Sequence, residues 1–257
     1  MSKRPLILVT NDDGISAPGI YALYNAMKEI GDARVVAPDS ERSAAGHAIT
    51  ISDPLREWEY EKNGSFFGHA VNGTPADCVK IGVKAILNEK PDLVVSGINQ
   101  GPNTAINVIY SGTVSAATEG TLMGIPSIAF SLTSFRKSNF DFASKFAIYL
   151  AKRVLEQGLP NGTLLNVNIP ALPEEEIKGV KITRQGRARY EEFFEKRVDP
   201  MNRKYYWLTG KKMLLDSDSD VDDVAITNNY VAITPIQFDL TDYKSIEDLK
   251  NWEIRLP

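Results

Sequence analysis

One cysteine and two histidines in 257 residues leave little room for soft-ligand metal chemistry. Cys78 alone cannot form an intrachain disulfide, and nothing points to an oxidising compartment. A zinc site built on thiolates or imidazoles is disfavoured on the same count. No window approaches the roughly 18 apolar residues of a membrane span. "MSKRPLILVTNDDG" starts basic and turns apolar, but its run ends in carboxylates with no cleavage site, so it reads as a strand rather than a signal peptide. A cytoplasmic setting is the expectation. The formal net charge of −4 gives no footprint for a nucleic-acid backbone. No Gly-x-Gly-x-x-Gly follows the first strand. "GISAPGIY" has both glycines of a phosphate loop, but Ile20 and Tyr21 stand where Lys and Ser or Thr are required. A serine-nucleophile elbow is missing too.

What is present is alternation. "PLILVT", "ARVVAP", "DLVVSG", "PSIAFSL" and "TLLNVNIP" are apolar runs of strand length. Between them lie "APGIYALYNAMKEIG", "TPADCVKIGVKAILNEK", "TVSAATEGTLMG" and "NFDFASKFAIYLAKRVLEQG", which read as helices, the second with Thr74 as N-cap and Pro75 at its first position. "HAITIS" and "LREWEYEKNGSFFGHAV" read as antiparallel strands. Near-continuous apolar strands separated by helices predict a doubly wound, mostly parallel α/β sheet of the Rossmann type. From about Gly179 the chain becomes polar, aromatic and poor in helical period. Residues 179–229 read as an extended antiparallel β arm within one domain spanning 1–257. "NYVAITPI" returns to strand, and the tail to a short helix.

In an open parallel sheet, ligands bind beyond the carboxyl ends of the strands. Three polar loops leave those ends: Asn11-Asp12-Asp13-Gly14, "PDSERSAAGH" and "SGINQGPN" running on to "YSGT". Adjacent Asp12 and Asp13 repel and raise each other's pKa. They form either a capping turn or half of a site for a hard divalent cation, Mg2+ or Mn2+. Ser43 is either a turn residue or a hydroxyl ligand, and His47 either structural or a substrate contact. Asn99 can offer an amide oxygen to a cation. Ser111-Gly112-Thr113 opens a helix, whose free N–H groups suit both capping and phosphate. "DSDSDVDD" from Asp216 imitates a calcium loop, but Val221 replaces its glycine and Thr227 its glutamate, so it reads as a solvated acidic loop. Cys78 reads as a small buried hydrophobe, and Arg184, Arg187 and Arg189 with Tyr190 as arm surface, the lesser reading being that they hold a substrate or a neighbouring subunit.

Taken in order, "ILVTNDDGISAPGI", "VVAPDSERSAAGHAIT", "VNGTPADCVKIG", "DLVVSGINQGPN", "YSGTVSAATEG", "IPSIAFSL", "LLNVNIP" and "YVAITPIQFDLT" resemble the SurE family, the survival-protein-E nucleotidases. The resemblance implies a metal-dependent phosphatase of nucleoside 5′-monophosphates, with 3′-monophosphates and short polyphosphate as further substrates. It implies one divalent cation per subunit on Asp12, Asp13, Ser43 and Asn99, and phosphate contacts from Asn99, Asn103, Ser111, Gly112 and Thr113. It also implies homodimers or homotetramers that exchange C-terminal arms. Gln100 stands where many members have arginine. The expected chemistry is direct hydrolysis by metal-activated water, with Asp12 or Asp13 taking the proton. Two rivals are an aspartyl-phosphate enzyme, which needs an Asp-x-Asp pair, and a nucleotide-binding sensor without catalysis.

Overall fold

The computed structural model describes residues 3–136, 139–252 and 254–256. In chain order its strands are β1 (Leu6–Thr10), β2 (Asp32–Pro38), β3 (Glu57–Lys62), β4 (Ser65–Val71), β5 (Leu93–Gln100), β6 (Ser127–Leu132), β7 (Thr163–Ile169), β8 (Gly179–Ile182), β9 (Ala188–Val198), β10 (Lys204–Leu214) and β11 (Tyr230–Gln237). Nine of them form one sheet in the order β3-β4-β2-β1-β5-β6-β7-β11-β8. The run from β4 to β7 is parallel. β3 and β11 pair antiparallel to their neighbours β4 and β7, and β8 lies parallel to β11.

Burial on both faces explains the continuous apolar strands. Successive side chains of β1 point to opposite sides. Ile7 and Val9 join a core cluster with Ile20, Leu23 and Met27 of helix α1 (Pro18–Lys28). Leu8 joins the other cluster, with Cys78 and Val79 of α2 (Pro75–Ile81). Three more helices matter below: α3 (Asn107–Tyr110), α4 (Gly112–Leu122) and α5 (Asp141–Gln157). α4 packs beside α2, and α5 beside α1. From β1 the chain winds outward to β2 and β4, then crosses back to β5 on the other side of β1. The strand order therefore reverses between β1 and β5, and that gap is where such folds bind ligands.

Three expectations need correction. "HAITIS" is no strand. Thr50 donates its N–H and its hydroxyl to the Asp77 carboxylate, the hydroxyl at 2.6 Å, so its backbone is withdrawn from any ladder, and Ile49 and Ile51 stay exposed. The helix expected from Thr74 to Lys90 is α-helical only to Ile81. It widens over Gly82–Ile86 into a π-type turn in which Leu87 N–H reaches the Gly82 carbonyl at 2.9 Å. A short helix, α6 (Asp222–Thr227), lies where only loop was expected. Within 179–229 the segment standing apart is the hairpin β9–β10, a separate two-stranded sheet. β8 belongs to the main sheet, and α6 packs on β11. The last helix is α7 (Tyr243–Lys250). Among the described residues no helix is long and apolar enough to cross a membrane.

Candidate active site

At the β1–β5 gap the chain leaves β1 through Asn11, Asp12 and Asp13. Asn11 donates to the Gly14 carbonyl at 2.9 Å and Asp12 C=O accepts Arg42 N–H at 2.8 Å, which ties this turn to the loop after β2. Asp12 is buried and accepts the Thr113 hydroxyl at 2.5 Å. Gly112 lets that helix start come close: a Cβ there would lie 2.6 Å from Asp12 Cβ and 3.0 Å from its Oδ2. A cleft of about 400 Å³ opens above, lined by Asp12, Asp13, Glu41, Ser43, Asn99, Asn103 and Ser111 among others.

The electrostatics of this cleft are one-sided. Burial pushes the Asp12 carboxyl up, against the Thr113 hydrogen bond. Burial, then Asp12, then Glu41 push Asp13 up to about 7, against one N–H from Gln100. The charges acting on the pair are carboxylates. Thr10, Asn11 and Ser96, at the same strand ends, each keep a buried side-chain oxygen without a partner. A cavity of about 490 Å³ beside α5 differs: there Lys145 and Glu174 neutralise each other at 2.7 Å.

The neutral groups are held in place by the scaffold. Asn99 commits Nδ2 to the Gly101 carbonyl at 2.7 Å, which leaves Oδ1 as the atom it can offer. Ser43 donates to Glu41 at 2.6 Å and keeps lone pairs to give. Asn103 donates its N–H to Asn168 at 2.8 Å and its amide to Ser131 at 2.8 Å, while Asn166 and Asn168 donate to its carbonyl. Ser111 caps α4 by accepting Val114 N–H at 3.1 Å. Two carboxylates with a hydroxyl and an amide oxygen are a hard, all-oxygen donor set, which fits Mg2+ or Mn2+. Among the described residues no cluster of three or more His, Cys, Asp or Glu side chains is spaced for a metal, so the neutral oxygens would have to complete the shell.

Of the residues singled out in the sequence, Asp12, Asp13, Ser43, Asn99, Asn103 and Ser111 line this one cleft, while Gly112 and Thr113 lie directly behind Asp12. His47 is not in the lining. Its Nε2 meets Glu119 at 3.0 Å, and Lys80 meets the same carboxylate at 2.5 Å. Burial opposes charge on Glu119, but these two partners outweigh it and hold the carboxyl below its usual range. Sequence reasoning passed over Glu41, Asn107, Tyr110 and Phe135, which also line the cleft. Glu41 sat inside a loop already suspected, and an acid beside a suspected cation ligand was the signal.

The acidic run from Asp216 is a solvated loop only over 217–220, which are exposed; Val221, Asp222 and Asp223 are buried. Arg184 gathers Asp216, Asp218 and Asp220 at 2.6, 2.8 and 3.2 Å. Asp222 is buried and accepts the N–H groups of Ala105, Gly186 and Asp223. Asp223 accepts Lys212 of β10 at 2.7 Å and the Thr104 hydroxyl at 2.7 Å. Partners distant in sequence compensate these charges and allow α6 to form. The network also welds the root of the arm to the 104–107 segment, next to Asn103. Tyr190 of the arm lines the cleft as well, rather than serving as plain arm surface.

Comparison with known proteins gives matches over nearly the whole chain. The family model "Survival protein SurE" matches residues 7–192. A "5′-nucleotidase SurE" of Christiangramia forsetii is 53% identical over 255 residues, 98% of each chain. The protein of that name from Chlorobium chlorochromatii is 51% identical over 251 residues, covering 98% of this chain and 92% of the relative. The crystal structure of the SurE protein from Aquifex aeolicus superposes with a TM-score of 0.84 at 44% identity, covering 97% of this chain and all of that one.

Proposed function

Given that the chain belongs to the SurE family, we infer that it is a 5′-nucleotidase, a phosphatase that releases phosphate from nucleoside 5′-monophosphates. The observation that carries this is the pair Asp12–Asp13: two adjacent carboxylates at the strand-order reversal, sharing with neutral oxygens a cleft that, among the described residues, no Lys or Arg lines. The finer assignments follow as our reading. One divalent cation, Mg2+ or Mn2+, would be held by Asp12, Asp13, Ser43 Oγ and Asn99 Oδ1. When bound, it polarises the phosphoryl group and acidifies a water.

The chain's own residues do the rest. The Thr113 hydroxyl fixes one oxygen of Asp12. Asp13, less buried than Asp12, takes the proton of the attacking water on its carboxylate. Asn103, the N–H groups at the start of α4 and the Ser111 hydroxyl hold the phosphoryl oxygens, on which charge grows in the transition state. Phosphate on the 3′ position and short polyphosphate present the same group to these donors, and are included as substrates. Copies associate as homodimers or homotetramers through the hairpin, whose Phe193, Phe194, Trp207 and Leu208 stand exposed. The setting is taken as cytoplasmic on the strength of Cys78, a single free and buried cysteine.

The test is phosphate release from a panel of nucleoside 5′- and 3′-monophosphates with Mg2+ or Mn2+, then with chelator. Release that chelator abolishes is expected. Tight nucleotide binding with no release under either ion would instead mark a sensor. Release indifferent to chelator would remove the cation.

A further inference from the structure

The cleft that holds Asp12 and Asp13 is lined by more than oxygen. Tyr110 at the end of α3, Phe135 after β6 and Tyr190 on β9 share it. These rings remain 55%, 83% and 36% exposed, although burying an aromatic ring is among the larger gains a fold can make. Each is held where it is. The Tyr190 hydroxyl donates to Asn107 Oδ1 at 2.5 Å, and Asn107 lines the cleft too. The Tyr110 carbonyl accepts Gly46 N–H at 3.1 Å, which anchors the backbone carrying that ring. Phe135 lies over Gly101, where a Cβ would come within 2.4 Å of the ring.

We propose that Tyr110 and Tyr190, with Phe135 beside them, form the nucleobase subsite of this cleft. The base stacks on these faces while its phosphate meets the Asp12–Asp13 end. The inference rests on the nucleotidase reading above. Stacking accepts any base, because every base has a π face. The two amides nearest the rings each have one end committed: Gln100 Nε2 donates to the Arg136 carbonyl at 2.8 Å, and Asn107 Oδ1 accepts from Tyr190. The rings themselves therefore recognise that a base is present rather than which base it is. Tyr190 belongs to the hairpin, so the arm supplies one wall of the binding site.

The test compares wild type with Tyr110→Ala and Tyr190→Phe. Binding of adenosine and of ribose, followed by NMR, needs no turnover. KM and kcat for adenosine 5′-monophosphate and for ribose 5-phosphate give the second readout. Tyr110→Ala should weaken adenosine binding, and raise KM for the nucleotide, on the order of 10-fold. The loss for ribose 5-phosphate, which carries no base, should be several-fold smaller. Tyr190→Phe keeps the ring and should keep adenosine binding. Equal losses on both phosphate esters, unchanged adenosine binding in Tyr110→Ala, or wild type that binds ribose as well as adenosine would overturn the proposal. A wild-type protein that binds adenosine through Tyr110 but releases no phosphate would defeat the nucleotidase reading and leave this subsite standing.

Discussion

The chain places two Asp-Asp pairs within reach of one cleft, and treats them in opposite ways. Asp222–Asp223 sits at the arm root among donors. Asp222 takes three backbone N–H groups, while Asp223 takes an ammonium and a hydroxyl. Asp12–Asp13 receives the Thr113 hydroxyl and backbone N–H groups, Thr113 and Gln100 among them, but among the described residues no ammonium or guanidinium lines its cleft, and it faces a third carboxylate, Glu41. Burial pushes Asp12 and Asp222 in the same direction, upward. What differs is compensation. A buried charge that the protein neutralises is structure, and one that it leaves uncompensated beside an open cleft is a place for a ligand. Dipeptide identity carries none of this information.

The sharpest way to break the comparison is to remove a charge from each pair. Asp12→Asn should cost on the order of 10³-fold in kcat/KM, since it removes a group that acts on the reacting centre. Its unfolding midpoint in chelator should hold or rise, because a repelling charge is gone. Activity within tenfold of wild type would mean that the rim pair is not the reacting pair. Asp223→Ala should do the reverse. It leaves the Lys212 ammonium largely buried and unpaired, at a cost of about 3 kcal/mol in urea unfolding. Replacing Lys212 by Met in the same chain should recover much of that loss. A single variant as stable as wild type would reduce this network to decoration.

Gly112→Ala tests the rim with a smaller step. The added methyl would overlap Asp12 and its carboxylate, so helix and carboxylate must separate. Overpacking this buried contact should cost about 1–3 kcal/mol of stability, and displacement on the 1 Å scale can cost about 10²-fold in rate in the protein that remains folded. Unchanged kinetics would show that the helix start does not position Asp12.

How much of this was legible in the sequence follows from where the partners lie. Parallel strands were legible because burial on both faces makes them continuously apolar, as in Leu6–Thr10. The rim residues were legible because loops after parallel strands converge on one edge, which brought Asp12, Ser43, Asn99 and Asn103 into a single cleft. "HAITIS" misled because the amide of Thr50 goes to a carboxylate 27 residues away. The acidic run misled at Asp216, Asp222 and Asp223, because the compensating groups come from elsewhere: Arg184 precedes the hairpin, Lys212 lies on β10, and the N–H groups of Ala105 and Gly186 meet Asp222. Tyr110 and Phe135 went unremarked because sequence does not tell which loop side chains face a cleft.

A further buried aspartate sharpens the comparison from the other side. Burial works to raise Asp77, but the N–H and hydroxyl of Thr50 and the N–H of Thr74 outweigh it and hold the carboxyl below its ordinary 3.8. A lowered folded pKa adds stability that is complete above the unfolded value and fades as pH falls through the folded one. Asp77→Asn cannot supply that charge. Wild type should exceed it by about 1–2 kcal/mol near neutrality, and the gap should close as pH falls below about 4. Urea unfolding of both proteins from pH 7 to pH 3, in chelator so that the rim stays out of the measurement, reads the gap directly. A constant gap across that range would mean that hydrogen-bond geometry, not ionisation, secures Asp77. The contrast drawn between compensated and uncompensated carboxylates would then lose its clearest member.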